Sequence, residues 1–354
     1  MRRELSFAEA IREALAQKLT EDKAVYVLGQ GAPDASQTYG TTQGLVDIAP
    51  DRIFDVPLSE ASMVGIMLGS SLVGLKPVMI MARFEFLLLA IEQLVNQAAK
   101  WRFMFPEDPG QTLPFFTLRV VVGRGWGQGP QHAQSLHAWF AHVPGLKVVM
   151  PATPYEAKGL LLASIDDPNP VLFIEHRWLH PLRGFVPEET YTIPLESGLT
   201  TLMQGDAVTV VSLSYATVDA YKAAQLLKKE GIFVSLLSVH TINPFQDEII
   251  LESVCQTGRL VVCDPAYATG GFSSEIISRV CMKALNALKS PPVKVAYPDR
   301  PLATTRALAN LYYPGAHQIV NAVKRVLGLP EDKYAPVLPS DLLDVPDKSF
   351  TGPF

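Results

Sequence analysis

Hydrophobic positions along the chain alternate between two spacings. Short runs rich in aliphatic and β-branched residues, typical of buried strands, are followed by segments in which apolar residues recur every three or four positions, as in helices. This alternation is typical of parallel sheets covered by helices. The runs predict strands at 25–28, 53–54, 78–81, 117–122, 147–150 and 171–174, and then at 208–212, 233–239, 260–263 and 293–296.

Helix-start signals lie between these runs. Ser6 with Glu9, and Thr153 with Glu156, form the Ser/Thr-x-x-Glu capping box that opens a helix. Ser59 is a candidate N-cap for a glycine-spaced helix that continues to about residue 75. Further helices are predicted at 86–103, 131–142, 216–230, 246–256, 273–288 and 316–327.

The chain is long enough for two hydrophobic cores, because its 354 residues exceed what one core usually serves. From about residue 181 the alternation gives way to Pro, Gly, Glu and Thr, as in a linker. We therefore predict an α/β fold with two doubly wound domains in series. The predicted bounds are 1–186 for the first domain, 187–204 for the linker, 205–329 for the second domain and 330–354 for a Pro-rich tail.

Composition narrows the class of protein. With 48% apolar residues and a net charge of -5 of mixed sign, the chain has neither a disordered composition nor a basic field for nucleic acid or membrane surfaces. No apolar run is long enough to span a bilayer, and none follows Arg2 and Arg3 as in a signal peptide. The three cysteines form no CxxC pair, so free thiols in a reducing compartment are expected. A cytoplasmic protein is the expectation.

Candidate chemistry lies in the loops after strands, because doubly wound sheets bind ligands at the carboxyl ends of their strands. Glu60 follows strand 53–54 and is expected in the first turn of a helix, among apolar residues. The simple interpretation is a carboxylate stabilised by the helix dipole. Burial would also raise its pKa and suit it to proton transfer. Phe84 and Phe86 follow strand 78–81, where aromatic rings either form core or support a flat heterocycle.

A glycine-rich loop at 123–129 follows another strand. It departs from the dinucleotide fingerprint, because Gln128 or Pro130 occupies the third glycine position, which disfavours a nicotinamide enzyme. His132 is expected at the start of the next helix, facing this loop, either as a capped structural residue or as a functional one. Steps of five residues spread His132, His137 and His142 around a helix, so a shared metal is not predicted.

An ordered set of motifs runs along the chain. It comprises Leu58-Ser-Glu60, Phe84-Glu-Phe86, Gln131-His-Ala-Gln134 and His142-Val-Pro-Gly-Leu-Lys-Val-Val149, and it continues through Thr257-Gly-Arg-Leu-Val-Val262 and Gly270-Gly271. This set resembles the β subunit of pyruvate and branched-chain 2-oxo acid dehydrogenases. The similarity covers nearly the whole chain up to about residue 329. It implies a thiamine pyrimidine-binding domain followed by a transketolase C-terminal-like domain.

The resemblance implies a role for each matching residue. Glu60 would hydrogen-bond the aminopyrimidine ring of thiamine diphosphate, which favours the tautomer that removes the thiazolium proton. His132 matches the histidine that assists proton transfer and acyl transfer to lipoamide. The remaining residues expected near the cofactor are Gln30, Leu58, Phe84 and Phe86. The backbone positions expected to hold a potassium ion are those of Ser164, Asp167 and Asn169.

The chain lacks the second half of such a site. The diphosphate and its magnesium need a strand followed by Gly-Asp-Gly, whereas the near match Gly205-Asp206-Ala207 precedes its strand. The resemblance therefore implies an α subunit that carries this motif, a heterotetramer, a lipoyl acyltransferase core as a further partner, and a 2-oxo acid as the substrate.

Several residues depart from the family pattern. Gln30 replaces one of an acidic pair, Arg83 and Glu85 replace small or neutral residues, and Ala133 replaces a serine. These changes leave the substrate and the acyl acceptor open. A two-chain carboligase of the transketolase type, or a catalytically altered structural subunit, are the alternative hypotheses.

Overall fold

The chain is described by a computed structural model over residues 3–34, 38–105, 114–125 and 127–332. These residues separate into two compact units. The first unit runs to Gly123 and resumes over Trp139–Leu195, and the second consists of Arg124–Ala138 together with residues 196–332. Each unit contains its own sheet. The predicted tail lies outside the described residues beyond Asp332.

The first unit is built on parallel strands. They are β2 (Val25–Gly29), β3 (Ile53–Phe54), β4 (Lys76–Met81), β5 (Thr117–Val122), β6 (Lys147–Val149) and β7 (Val171–His176), and they pair in the order β6-β7-β5-β4-β2-β3. Every residue of β5 and of β7 is buried, which explains why apolar residues predominate in both strands. Its helices are α1 (Phe7–Glu21), α2 (Leu45–Ile48), α3 (Glu60–Ser71), α4 (Ala99–Met104), the end of α5 (His137–Ala141) and α6 (Pro154–Asp166).

Both predicted capping boxes are present in this unit, at Ser6 before α1 and at Thr153 before α6. The two helices pack on each other, and a short antiparallel pair, β1 (Glu4–Ser6) with β8 (Arg183–Phe185), lies beside them. Lys158 of α6 is fully buried, and its Nζ donates to Glu13 and to the carbonyl oxygens of residues 187–189 at 2.7–3.1 Å. The start of the predicted linker is therefore fastened to the first unit.

The second unit is a mixed sheet with helices on both faces. Its strands β9 (Leu199–Met203), β10 (Val208–Leu213), β11 (Val234–Val239), β13 (Leu260–Tyr267) and β14 (Val293–Tyr297) pair in the order β14-β13-β10-β11-β9, and β12 spans Thr241–Asn243. Its helices are α7 (Ala216–Lys229), α8 (Glu248–Thr257), α9 (Phe272–Ala284), α10 (Arg306–Ala309) and α11 (Ala316–Leu327). Alternate residues of β10 contact helices on opposite faces of the sheet, as in a doubly wound fold. Val208 and Val210 pack with α7 and α11, whereas Thr209 hydrogen-bonds Ser253 and Thr257 of α8.

The differences from the sequence prediction include three segments. Residues 199–203, placed in the linker, form β9, an antiparallel edge strand whose partial exposure hides it from a search for apolar runs. The helix predicted over 131–142 begins only at His137. The helix predicted over 86–103 is a succession of 3-10, π and α turns from Phe84 to Met104. Within the described part of the chain, no helix has the length and hydropathy needed to cross a membrane.

Candidate active site

The loops after β2, β3 and β4 meet at one edge of the first sheet, because these three strands are parallel neighbours. Gln30 follows β2, Glu60 follows the short β3, and Phe84 and Phe86 follow β4. The structure thus brings these four predicted residues to the carboxyl edge of one sheet, where ligands of such sheets bind.

Asp55 connects two of these loops. Its Oδ1 accepts hydrogen bonds from the backbone amides of Gly31 at 2.7 Å and of Val56 at 2.9 Å. Gly31 has a φ of 66°, a conformation that favours glycine. Asp55 was not singled out from the sequence, although an aspartate directly after a strand is a signal for such a loop bridge. Asp55 holds the loop carrying Gln30 against the one that leads to Glu60.

Glu60 is the first residue of α3, and only 9% of its surface is exposed. Ser59 occupies the N-cap position as predicted, but its hydroxyl donates to Ser62 Oγ at 3.2 Å instead of capping the helix. The buried residues that follow Glu60 in the next two turns are apolar, among them Met63, Val64 and Met67. The expected arrangement, a buried carboxylate at the start of a helix with apolar residues next to it in the sequence, is therefore present.

The aromatic residues after β4 have different surroundings. Phe84 is fully buried and packs edge-to-face on Phe140, with ring centroids 5.5 Å apart, which is the behaviour of a core residue. Phe86 is only half-buried, so part of its ring surface is available. Leu58 is 79% exposed in this chain. Phe86 is thus the better placed ring for contact with a flat heterocycle.

Two arginines at this edge of the sheet share one tyrosine. The Arg177 guanidinium, after β7, lies 4.5 Å from the centroid of the Tyr39 ring, and Arg83 donates to the Tyr39 hydroxyl. The Tyr39 hydroxyl in turn donates to Ala82 O at 3.0 Å. Burial, together with the charge of Arg83, lowers the pKa of Arg177 to about 10. Arg177 was missed from the sequence because it lies beyond the apolar run of β7 without a motif around it.

Three buried polar side chains lie close together in and after the strands that lead to this edge. Arg119 in β5 forms a two-point ion pair with Glu175 in β7, at 2.5 Å from Nε to Oε1 and 3.0 Å from Nη2 to Oε2. His180 Nε2 lies 3.2 Å from the same carboxylate. Burial would raise the pKa of Glu175, but Arg119 and His180 hold it at about 2. Burial likewise lowers the pKa of His180 to about 4, so this imidazole is neutral at pH 7.

His132 belongs to the second unit, since it lies in the segment Arg124–Ala138. The sequence placed it at the start of a helix, and that prediction was wrong. Residues 131–136 have no helical structure, because the three preceding glycines, at 125, 127 and 129, have φ between 68° and 70° and turn the chain at alternate residues. His132 is half-buried, and its neighbour Ala133 packs among the tyrosine rings of the second unit. A larger polar residue would not suit this apolar position.

The residues expected to hold potassium lie at the end of α6. Asp167 is the C-cap residue, and its Oδ1 accepts from the backbone amide and the side-chain amide of Asn169 at 3.0 and 2.8 Å. Lys147 pairs with the other carboxylate oxygen. Ser164 is buried, and its hydroxyl donates to Leu160 O at 2.7 Å. All three side chains thus have partners within the chain, which leaves backbone carbonyls as the groups to test for an ion.

Metal-binding side chains of the usual kind are not clustered here. Across the residues that the structure describes, no three His, Cys, Asp or Glu side chains come together as metal ligands would. Gly205 and Asp206 lie before β10, so the one near match to a diphosphate motif is at the amino end of a strand.

Comparison with known proteins defines the class. The transketolase pyrimidine-binding domain family matches residues 3–181, and the transketolase C-terminal domain family matches residues 199–319. A solved structure of a split-gene transketolase, described as an inactive β4 tetramer, superposes with a TM-score of 0.74 at 23% identity and covers 92% of this chain and 99% of its own. The predicted fold, two transketolase-like α/β domains in series, is confirmed.

Curated relatives define the family. The acetoin:2,6-dichlorophenolindophenol oxidoreductase β subunit of Cupriavidus necator is 38% identical, with 92% of this chain and 98% of the relative aligned. The pyruvate dehydrogenase E1 component β subunit of Rhizobium meliloti is 35% identical, over 91% of this chain and 70% of the relative. The chain therefore belongs to the transketolase-like family of pyruvate dehydrogenase E1 and acetoin oxidoreductase β subunits. The sequence motifs predicted the pyruvate dehydrogenase relationship but not the acetoin one.

Proposed function

We propose that this chain is the β subunit of a thiamine-diphosphate-dependent 2-oxo acid dehydrogenase component. The enzyme would decarboxylate a 2-oxo acid and transfer the acyl group to lipoamide. The observation that carries the proposal is the buried Glu60 at the start of α3, at the carboxyl edge of the sheet in the domain that matches the pyrimidine-binding family.

The residues at this edge fit an aminopyrimidine ring. A carboxyl group that is 9% exposed has few water molecules to bond with and suits a ring nitrogen as partner. The half-buried Phe86 supplies a flat apolar surface in the loop of the neighbouring strand. Gln30 offers both an amide donor and an acceptor where the family has an acidic group. Leu58 is exposed in this chain and would be covered once a partner chain completes the pocket.

Glu60 acts in the proposed mechanism by holding and releasing one proton. Thiamine diphosphate, when bound, supplies a carbon nucleophile and an electron sink for the bond that breaks. Glu60 would hold the proton shared with the ring nitrogen, and its low exposure would limit exchange of that proton with water. Phe86 would orient the ring by stacking. His132, whose ring can both donate and accept, would transfer protons to and from the reacting oxygen.

A partner chain is required in this proposal. The diphosphate and its magnesium would be held by an α subunit, because this sequence places no Gly-Asp-Gly after a strand. We infer a heterotetramer, with a lipoyl acyltransferase core as a further partner. Backbone carbonyls near Ser164, Asp167 and Asn169 would hold potassium. We place the assembly in the reducing cytoplasm, which agrees with the three free thiols.

A second candidate substrate class is favoured by one observation. A relative that aligns over nearly its full length is named for acetoin, a hydroxyketone rather than a 2-oxo acid. Both classes require cleavage of the carbon–carbon bond next to a carbonyl, so the same Glu60 and His132 would serve. The substrate test therefore has to include both classes.

The test uses the assembly purified from its native source, with its native mass, subunit composition and bound thiamine diphosphate recorded. Turnover is then measured with pyruvate, branched-chain 2-oxo acids and acetoin, using lipoamide or 2,6-dichlorophenolindophenol as acceptor. We expect Glu60→Gln to lower kcat by about 10²–10⁴-fold, the usual range for loss of an acid–base group.

Glu248→Gln is the matched control, since Glu248 is also the first residue of a helix but is exposed. It is expected to leave kcat unchanged. Equal rates for Glu60→Gln and Glu248→Gln would reject the role of Glu60, and absence of a second chain and of cofactor would reject the subunit assignment.

A further inference from the structure

The segment Arg124–Ala138, which carries His132, leaves the first sheet after β5 and packs within the second unit before the chain returns at Trp139. It contains little regular structure, because the helix at its end starts only at His137. A half-buried histidine in such a segment keeps a fixed position only if the segment is held at several points. The second unit holds it at three.

Arg124 is the first of these anchors. It is 3% exposed, and its guanidinium lies over the rings of Tyr313 and Tyr215, at 4.5 and 5.0 Å from the centroids. Asp219 Oδ2 is 4.0 Å away, and the next amide, that of Gly125, donates to the Tyr313 hydroxyl at 3.1 Å. Contact of this buried cation with two aromatic rings fixes the amino end of the segment.

Ala133 is the middle anchor. It is 7% exposed and packs in a cluster of residues of the second unit that includes Tyr297, Tyr312 and Tyr313. The same Tyr313 therefore contacts the segment at both Arg124 and Ala133. His132 is covalently next to this packed residue, so a movement of His132 would pull Ala133 out of an apolar cluster.

His137 is the third anchor and the most polar. It is fully buried, with Nε2 3.0 Å from Asp264 Oδ1 in β13 and Nδ1 3.0 Å from Ser135 Oγ. Asp264 Oδ2 accepts from the backbone amide of Ser273 in the first turn of α9 at 2.8 Å. A chain of hydrogen bonds therefore runs from the segment to a strand and a helix of the second unit. Gly271 makes room for it, because a Cβ there would lie 3.0 Å from Asp264 Oδ2.

These contacts assign a partner to each ring nitrogen of His137. Nε2 donates to the Asp264 carboxylate, which can only accept, and Nδ1 shares a hydrogen bond with the Ser135 hydroxyl. Burial alone would raise the pKa of Asp264, but His137 and the bonds from Ser273 lower it, so the carboxylate is the stable form. Removal of the imidazole would leave the carboxylate and the hydroxyl buried with fewer partners, and the segment would shift to rehydrate them.

We propose that His137, Ser135 and Asp264 are positioning residues that fix the segment carrying His132 to the second unit and so set the geometry of its proton transfer. The catalytic part of this inference rests on the proposed function, whereas the anchoring part does not. Proton transfer needs heavy atoms within hydrogen-bond reach, and a displacement of about 1 Å can cost on the order of 100-fold in rate.

The test compares His137→Gln and Asp264→Asn in the intact assembly with the wild type. The expected result is a fall in kcat per bound thiamine diphosphate of about 10–100-fold. The KM and the cofactor affinity stay within about twofold, because those contacts lie in other loops. The double variant should be no slower than the slower single variant, since the two side chains act as one unit. Hydrogen exchange of backbone amides in 124–138 should become faster in all three.

His142→Gln is the matched control, because His142 lies five residues further along the chain and is exposed. It should change neither kcat nor exchange. Should His137→Gln fail to assemble, Ser135→Ala removes one buried hydroxyl and is expected to shift both measurements in the same direction.

Unchanged kcat in variants of a wild type that does turn over would overturn the positioning role, and unchanged exchange would overturn the anchoring. If the wild type turns over none of the substrates, the proposed function fails by itself. Faster exchange in His137→Gln would then still support the anchor, and unchanged exchange would reject it.

Discussion

The buried ion pair between Arg119 and Glu175 allows the sharpest stability prediction. Both side chains are fully buried, and the pair is held at two points. The pKa of Glu175 falls from 4.5 to about 2 in the folded chain. That difference, roughly 2.5 pH units at ~1.4 kcal/mol each, corresponds to about 3–4 kcal/mol in favour of the charged carboxylate.

Arg119→Gln removes the cation and leaves Glu175 in the sheet interior. The free energy of unfolding is expected to fall by about 3–5 kcal/mol, because a buried charge without its partner costs more than the pair contributed. For a unit of this size we expect the melting temperature to fall by about 6–20 °C, measured by scanning calorimetry at pH 7.5. Replacing both residues, as Arg119→Met with Glu175→Leu, should cost less than Arg119→Gln, since no charge is then buried.

Arg183→Gln is the control in the same unit. Arg183 pairs with Glu9 at 3.3 Å, but its side chain is 55% exposed, so its loss should cost no more than about 1 kcal/mol. If Arg119→Gln melted within about 2 °C of Arg183→Gln, the inference that burial makes the first pair decisive would be refuted.

Two further predictions concern the same unit. The unfolded chain protonates His180 near pH 6.5 but the folded chain only near pH 4, so stability is greatest above pH 6.5 and falls towards pH 4. When the pH is lowered from 7 to 5, the free energy of unfolding should decrease by about 2 kcal/mol less in His180→Gln than in the wild type, as measured by calorimetry. An equal decrease in both proteins would contradict this. Thr153→Ala removes the capping box of α6 and should cost about 1 kcal/mol. Thr20→Ala, at an exposed position inside α1, should cost nothing in the same melting assay.

Strands and amphipathic helices were predictable because the residues they bury recur as apolar residues at a regular spacing in the sequence. The strand 117–122 and the helix 316–327 have the predicted bounds, since one is buried along its whole length and the other presents an apolar stripe. β9 was not predictable in this way, because a half-exposed edge strand carries no continuous apolar run.

The candidate site was predictable only in part. The buried Glu60 follows from its position before an apolar helix, and its burial is confirmed. The roles of Glu60 and His132 stay predictions, as do those of the cofactor-binding and potassium-binding residues. The pairing of His137 with Asp264 could not be foreseen, because the partners are 127 residues apart in sequence and neither forms part of a local motif. Such contacts depend on the packing of a whole unit.

The segment Arg124–Ala138 lies within the sequence of the first domain but packs within the second unit, which limits how the two domains can be separated. A chain cut between residues 187 and 204 would yield two pieces that match the two families. The segment Arg124–Ala138 would then remain with the amino-terminal piece, although it packs within the second unit. The carboxyl-terminal fragment would expose its tyrosine cluster and leave Asp264 without the imidazole of His137. The amino-terminal fragment would carry residues 124–138 between β5 and β6 without the surface on which they pack. The units are thus not interchangeable modules, and recombination between relatives would have to exchange this segment together with the second domain.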